Sequence, residues 1–67
     1  MVNYAEGIKY QRELNGITQS ALSKATGISQ QKLSYYELGK HAPPIDDCIK
    51  LADYYHISLD ELVGRYY

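Results

Sequence analysis

Apolar residues recur three and four apart along the chain, and no stretch alternates as a strand would. Punctuation by capping residues and glycines divides the pattern into five short helices. Asn3 with Glu6 three residues on predicts a capping box, so the first helix starts there and runs to about Asn15, before Gly16. Ile8 and Leu14 are its surest inward residues, helped by Tyr4, Ala5 or Tyr10, while Gly7 in its interior costs about 1 kcal/mol against alanine. Ile17 is a buried connector. Thr18 caps a second helix over Gln19 to Thr26, with Leu22 and Ala25 inward, and Gly27 ends it. Ile28 plugs the turn. Ser29 caps a third helix that sends Leu33 and Tyr36 toward the core and ends at Gly39.

The segment Lys40-His41-Ala42-Pro43-Pro44 predicts a stiff exposed loop, because each proline fixes its own φ and restricts the residue before it. A fourth helix follows from Pro44 or Ile45 to Tyr55. Ile45, Cys48, Ile49, Ala52 and Tyr55 form its apolar stripe, and Asp46 and Asp47 suit the positive end of the helix dipole. After the connector Ile57, Ser58-Leu59-Asp60-Glu61 is a second capping box. It opens a short fifth helix from Leu59, with Leu62 and Val63 inward. The tail, residues 64–67, is expected to fray or to touch a second subunit.

Sixty-seven residues imply one all-α domain with a small core and no room for a deep enzyme cleft. No apolar run approaches the roughly 20 residues of a membrane helix, so no membrane partner is expected. The N-terminus does not read as a secretory signal. A single cysteine, Cys48, excludes an internal disulfide and fits a cytoplasmic protein. With Asp46 and Asp47 as neighbours, Cys48 reads as a small buried hydrophobe rather than a reactive thiol. One Cys and two His at no ligand spacing predict no metal site, and no cofactor is expected. Nothing brings Ser, His and acidic residues together as a catalytic set, so the chain is not expected to be an enzyme.

Charge is unevenly placed. The net charge is −1, yet from Met1 to His41 five basic residues face three acids, and from Ala42 onward two basic residues face five acids. A mildly basic front and an acidic back would orient the molecule on a polyanion. The front carries the third helix, whose polar side is Gln30, Gln31, Lys32, Ser34 and Tyr35. Amides, hydroxyls and a lysine match the donors and acceptors on base edges in a DNA major groove. Glutamine accepts from adenine N6 while donating to N7, and lysine reaches a guanine or a phosphate.

The string Ile8-Lys9-x-x-Arg12-Glu13-x-x-Gly16-Ile17-Thr18-Gln19-x-x-Leu22, then Gly27-Ile28-Ser29, then Leu33-Ser34-x-Tyr36-Glu37-x-Gly39-Lys40, resembles the phage-repressor-like helix-turn-helix domains. These are also called the lambda-repressor-like or xenobiotic-response-element family. Pro43, Ile45, Ile49, Lys50, Leu51, Ala52, Tyr55 and Ile57 to Leu62 continue the match, so it covers the chain from about Ile8 to Val63. Each short string is weak alone; the whole set in register is specific. Gln11 stands where the family usually has leucine, which predicts looser packing of the first helix. His56 stands where glycine is frequent, so either another residue closes the fourth helix or His56 takes a positive φ.

The resemblance implies a sequence-specific binder of double-stranded DNA, a transcriptional regulator and repressor. Residues 29–38 would form the recognition helix in the major groove, probing bases with Gln30, Gln31, Lys32, Ser34 and Tyr35. Gln19, Ser29, Lys40 and His41 would meet phosphates, with Gln19 also bracing a recognition-helix glutamine. Arg12 and Glu37 would form a partly buried ion pair between the first and third helices. A homodimer on a palindromic operator is the expected assembly, with Leu59, Leu62, Val63, Tyr66 and Tyr67 as its self-contact. No small-molecule effector is expected within this domain. The competing reading is a protein-interaction module or antitoxin-like partner on the same scaffold, using exposed tyrosines such as Tyr35, Tyr54, Tyr66 and Tyr67.

Overall fold

The computed structural model describes residues 3–64, which form five α-helices and no strand. They are α1 (Tyr4–Leu14), α2 (Gln19–Thr26), α3 (Gln30–Leu38), α4 (Ile45–Tyr55) and α5 (Leu59–Leu62). The expected caps stop and start them. The side chains of Asn3, Thr18, Ser29 and Ser58 accept from the backbone N–H groups of Glu6, Ala21, Lys32 and Glu61. Each cap satisfies a donor that a helix start leaves free. Gly27 closes α2 in the left-handed region at φ 80°, which turns the chain directly into α3. His56 closes α4 at φ 58°, so the second of the two alternatives at that position holds.

The core gathers Ile8, Leu22, Ile28, Leu33, Tyr36, Cys48, Leu51, Ala52 and Leu62, with Tyr4, Ile17, Tyr55 and Ile57 packed against it. α3 lies against α1 and α2, while α5 packs on both α1 and α4. Four inward assignments, on three helices, are corrected. Leu14 is 63% exposed, and Gln11 instead continues the buried arc from Gly7 and Ile8. Ala25 is exposed beside the buried Leu22. On α4, Ile45 and Ile49 are 61% and 45% exposed, and the buried face runs through Asp47, Cys48, Leu51 and Ala52. The expected and observed stripes share Cys48, Ala52 and Tyr55 and differ in which flank turns inward.

A buried hydrogen bond explains that choice of flank. The Tyr36 hydroxyl donates to Asp47 Oδ2 across 2.5 Å, joining α3 to the first turn of α4. A buried carboxylate needs such a partner, and a charged acceptor makes the bond strong. Burial pushes the Tyr36 hydroxyl above its ordinary value of 10.0, and the bond to Asp47 adds to the shift. Burial likewise raises the Cys48 thiol, with the charge of Asp47 second. The Tyr55 hydroxyl is buried without a hydrogen-bond partner among the described residues, and burial pushes it up to about 12.

All three groups hold their protons more tightly folded than unfolded. Their contribution to stability is complete below their ordinary values of 9.0 and 10.0 and is lost as pH rises through the folded values. Urea unfolding at a series of pH values should therefore show stability falling above about pH 9–10, as the unfolded chain releases protons that the native state retains. A stability that climbs through that range would contradict this burial.

Candidate nucleic-acid interface

α2, the turn at Gly27 and α3 form a helix-turn-helix, and α3 presents two faces. Leu33 and Tyr36 anchor one face in the core. Gln30, Gln31 and Lys32, in the first turn, are exposed on the other, while Ser34 and Tyr35 are half-buried. Neither glutamine amide is tucked into the protein. Ser29 is exposed at the helix start, and Lys40 and His41 are exposed just beyond its end.

Glu37 is the one acid in α3, and it does not reach the exposed face. Its side chain is 4% exposed and is gripped by Arg12, which is 17% exposed. Arg12 Nε and Nη2 donate to the two carboxylate oxygens at 2.7 and 3.0 Å, a two-pronged pair. Arg12 Nη1 donates to the Ile17 carbonyl at 3.0 Å, so one guanidinium ties α1 to α3 and to the α1–α2 connection. The Glu37 hydrogen bond is the main reason the Arg12 pKa is raised further, against an opposing effect of burial. The ion pair expected from the resemblance is thus present, and it cancels a negative charge that would repel a phosphate backbone.

Gln19, half-buried at the start of α2, donates from Nε2 to Glu37 Oε1 at 3.2 Å. Its bracing bond goes to this carboxylate and not to a glutamine of α3. An ionised carboxylate is the stronger acceptor, and here it still has capacity beyond Arg12.

Around Tyr35 the structure assembles residues that the chain sequence leaves apart. Gln31 Nε2 donates to the Tyr35 hydroxyl at 2.9 Å, a pair four residues apart on one helix face. The His41 ring meets the Tyr35 ring edge-on at 5.1 Å between centroids. Lys40 Nζ sits 6.0 Å from the same ring centroid. The spacing of Gln31 and Tyr35 was a readable signal for the first contact. The other two depend on how the chain leaves α3.

At the rear, Leu62 is fully buried in the core, so it is not available to a second subunit. α5 must use Leu62 to pack on α1 and α4, since a four-residue helix has no other wholly buried side chain. Leu59 is 40% exposed and Val63 is half-buried. Tyr66 and Tyr67 lie outside the described residues. Among the described residues no group of Asp, Glu, His and Cys is arranged to hold a metal, and no helix is long and apolar enough to cross a membrane.

Comparison with known proteins agrees with this arrangement. A helix-turn-helix family model, HTH_3, matches residues 8–62. The transcriptional repressor RstR of the cryptic phage CTXphi in Vibrio cholerae is 36% identical over 61 residues, covering 91% of this chain and 54% of the repressor. An uncharacterised HTH-type transcriptional regulator of Methanocaldococcus jannaschii is 31% identical over 55 residues, covering 82% of this chain and 83% of that protein. The crystal structure of a transcriptional regulator from Listeria innocua superposes with a TM-score of 0.86 at 28% identity, over 100% of this chain and 63% of that one. This chain thus spans about half the length of the Vibrio repressor. These relatives are regulators of transcription rather than enzymes, in line with the expectation from composition. With its two-helix motif, its caps and its Arg12–Glu37 pair in register, the chain belongs to the HTH_3 family of helix-turn-helix transcriptional regulators.

Proposed function

We propose that this protein binds double-stranded DNA sequence-specifically and represses transcription, with α3 lying in the major groove. The observation that carries the reading is the division of α3. Its acid is withdrawn into Arg12, while two amides and a lysine stand exposed at its N-terminal turn. Gln30 and Gln31 read base edges, and Lys32, Ser34 and Tyr35 flank them. Ser29, Gln19, Lys40 and His41 sit where phosphates pass, setting register without reading sequence. The basic front turns toward the duplex and the acidic rear away from it.

One such module covers only about 600–1,000 Å² of protein surface, too little for tight discrimination. Two copies about a two-fold axis, reading half-sites one helical turn apart on a palindromic operator, supply the rest. Leu59 and Val63 are the described residues assigned to that self-contact, joined by Tyr66 and Tyr67. The buried free thiol of Cys48 suits the reducing cytoplasm in which such a regulator would work.

The test begins with duplexes selected from a random pool at stated salt, then compares the parent with a Gln30→Ala, Gln31→Ala variant. Both side chains are exposed, so the fold is expected to survive. The variant should lose roughly 1–3 kcal/mol for each lost two-pronged base contact while keeping weak non-specific binding. Log affinity should fall with log salt in both proteins, because phosphate contacts remain. Unaltered binding by the variant, or affinity indifferent to salt, would favour the protein-interaction reading instead.

A further inference from the structure

The contact between Gln31 and Tyr35 gives the exposed face a definite polarity. A primary amide carries two N–H hydrogens and one acceptor oxygen. The Tyr35 hydroxyl takes one hydrogen from Gln31 Nε2. The second N–H and Oε1 of the same planar group remain unused by this bond. That is the donor–acceptor pair that the N7 and N6 edge of adenine requires.

Tyr35 can hold the amide because it is itself held. His41 packs edge-on against its ring, Lys40 Nζ stands over it, and the Lys40 backbone N–H donates to the Tyr35 carbonyl at 3.0 Å. The loop that leaves α3 therefore supports the ring, and the ring supports the glutamine. An unsupported glutamine on a helix surface explores many rotamers and must lose that freedom on binding. Ordering the side chain before contact removes part of this cost and narrows what it will accept. Gln30 has no such neighbour among the described side-chain hydrogen bonds.

Resting on the reading of α3 as the recognition helix, we propose that Tyr35 is a positioning residue for specificity. It fixes the Gln31 amide so that its free N–H and Oε1 select adenine at one position of each half-site. Lys40 and His41 act through the Tyr35 ring at that position as well as near the backbone.

The decisive experiment measures binding of the whole chain to a panel of duplexes with each operator position varied in turn, at fixed salt. Four proteins are compared: the parent, Tyr35→Phe, Gln31→Ala and the double variant. Phenylalanine keeps the ring against His41 and Lys40 and removes only the hydroxyl. The Tyr35→Phe protein should melt as the parent does, keep its salt dependence, and lose on the order of tenfold in preference for adenine at a single position. Gln31→Ala should relax that same position, and the double variant should be no worse than Gln31→Ala alone. In the free protein, the Gln31 side-chain amide resonances should shift in Tyr35→Phe while those of Gln30 stay in place. Additive losses, a uniform loss at every sequence, an unmoved Gln31 amide, or guanine as the preferred base would each overturn the positioning role while leaving the recognition helix intact. A Gln31→Ala protein indistinguishable from the parent on every duplex would overturn both.

Discussion

Replacing Arg12 with alanine is expected to cost about 3–5 kcal/mol and to leave little folded protein at ordinary temperature. The size follows from what stays behind. Glu37, with a side chain only 4% exposed, would lose both guanidinium bonds and keep the single donor on Gln19. The Ile17 carbonyl would lose Arg12 Nη1 as well. A domain of this length has roughly 3–10 kcal/mol in total, so the loss is comparable to the whole. Arg12→Lys should recover only part of it, because an ammonium cannot offer the fork that meets two carboxylate oxygens and a carbonyl together. Arg12→Met combined with Glu37→Leu should be more stable than Arg12→Ala, since no buried charge is stranded. Urea unfolding followed by circular dichroism measures all three. An Arg12→Ala protein within about 1 kcal/mol of the parent would show that the pair is a solvated surface contact.

Gly7→Ala carries a prediction whose sign separates two arguments. Helix propensity alone favours alanine by about 1 kcal/mol in a helix interior. The packing of α1 on α5 reverses this. A β-carbon at Gly7 would lie 2.2 Å from the Leu62 carbonyl oxygen and 2.9 Å from both the Gly64 nitrogen and the Val63 carbonyl carbon. Every one of these is a backbone atom, so no side chain can swing aside. α5 would have to retreat from α1, straining the bond from the Asn3 N–H to the Val63 carbonyl and opening the core at Leu62. The net expectation is a loss of about 1–3 kcal/mol, read as a lower urea midpoint. Faster amide exchange in α5 should accompany it, because that helix is held by α1 and α4 together and would lose its seat on α1. A more stable Gly7→Ala protein would mean that α5 does not sit so close.

The helix boundaries were legible because their causes are local. Asn3, Thr18, Ser29 and Ser58 each bond a backbone N–H three residues away, and a string of letters shows such neighbours directly. The exposed amide face of α3 was legible for the same reason, since Leu33 and Tyr36 leave one side of a short helix to polar residues. The Arg12–Glu37 pair was reached differently. Twenty-five residues separate the partners, and resemblance to a family, not spacing, supplied it.

Other features lay beyond any local pattern. Two apolar stripes on α4 share Cys48, Ala52 and Tyr55, so periodicity alone cannot choose the flank. The Tyr36 hydroxyl decides for Asp47 and Leu51 and leaves Ile45 and Ile49 outside. Nor does the chain announce that Gly7 faces the backbone of α5, that Leu62 is spent on the core, or that Gln19 leans on Glu37.

By itself, then, the sequence determined where the five helices begin and end and which residues of α3 face outward, because capping and short-range periodicity act within a few residues. Tertiary structure alone decided which flank of α4 is buried, whether glycine at position 7 helps or harms, and that His41 would come to rest on Tyr35. Those outcomes depend on distances between segments remote in sequence, which are settled only when the helices pack together.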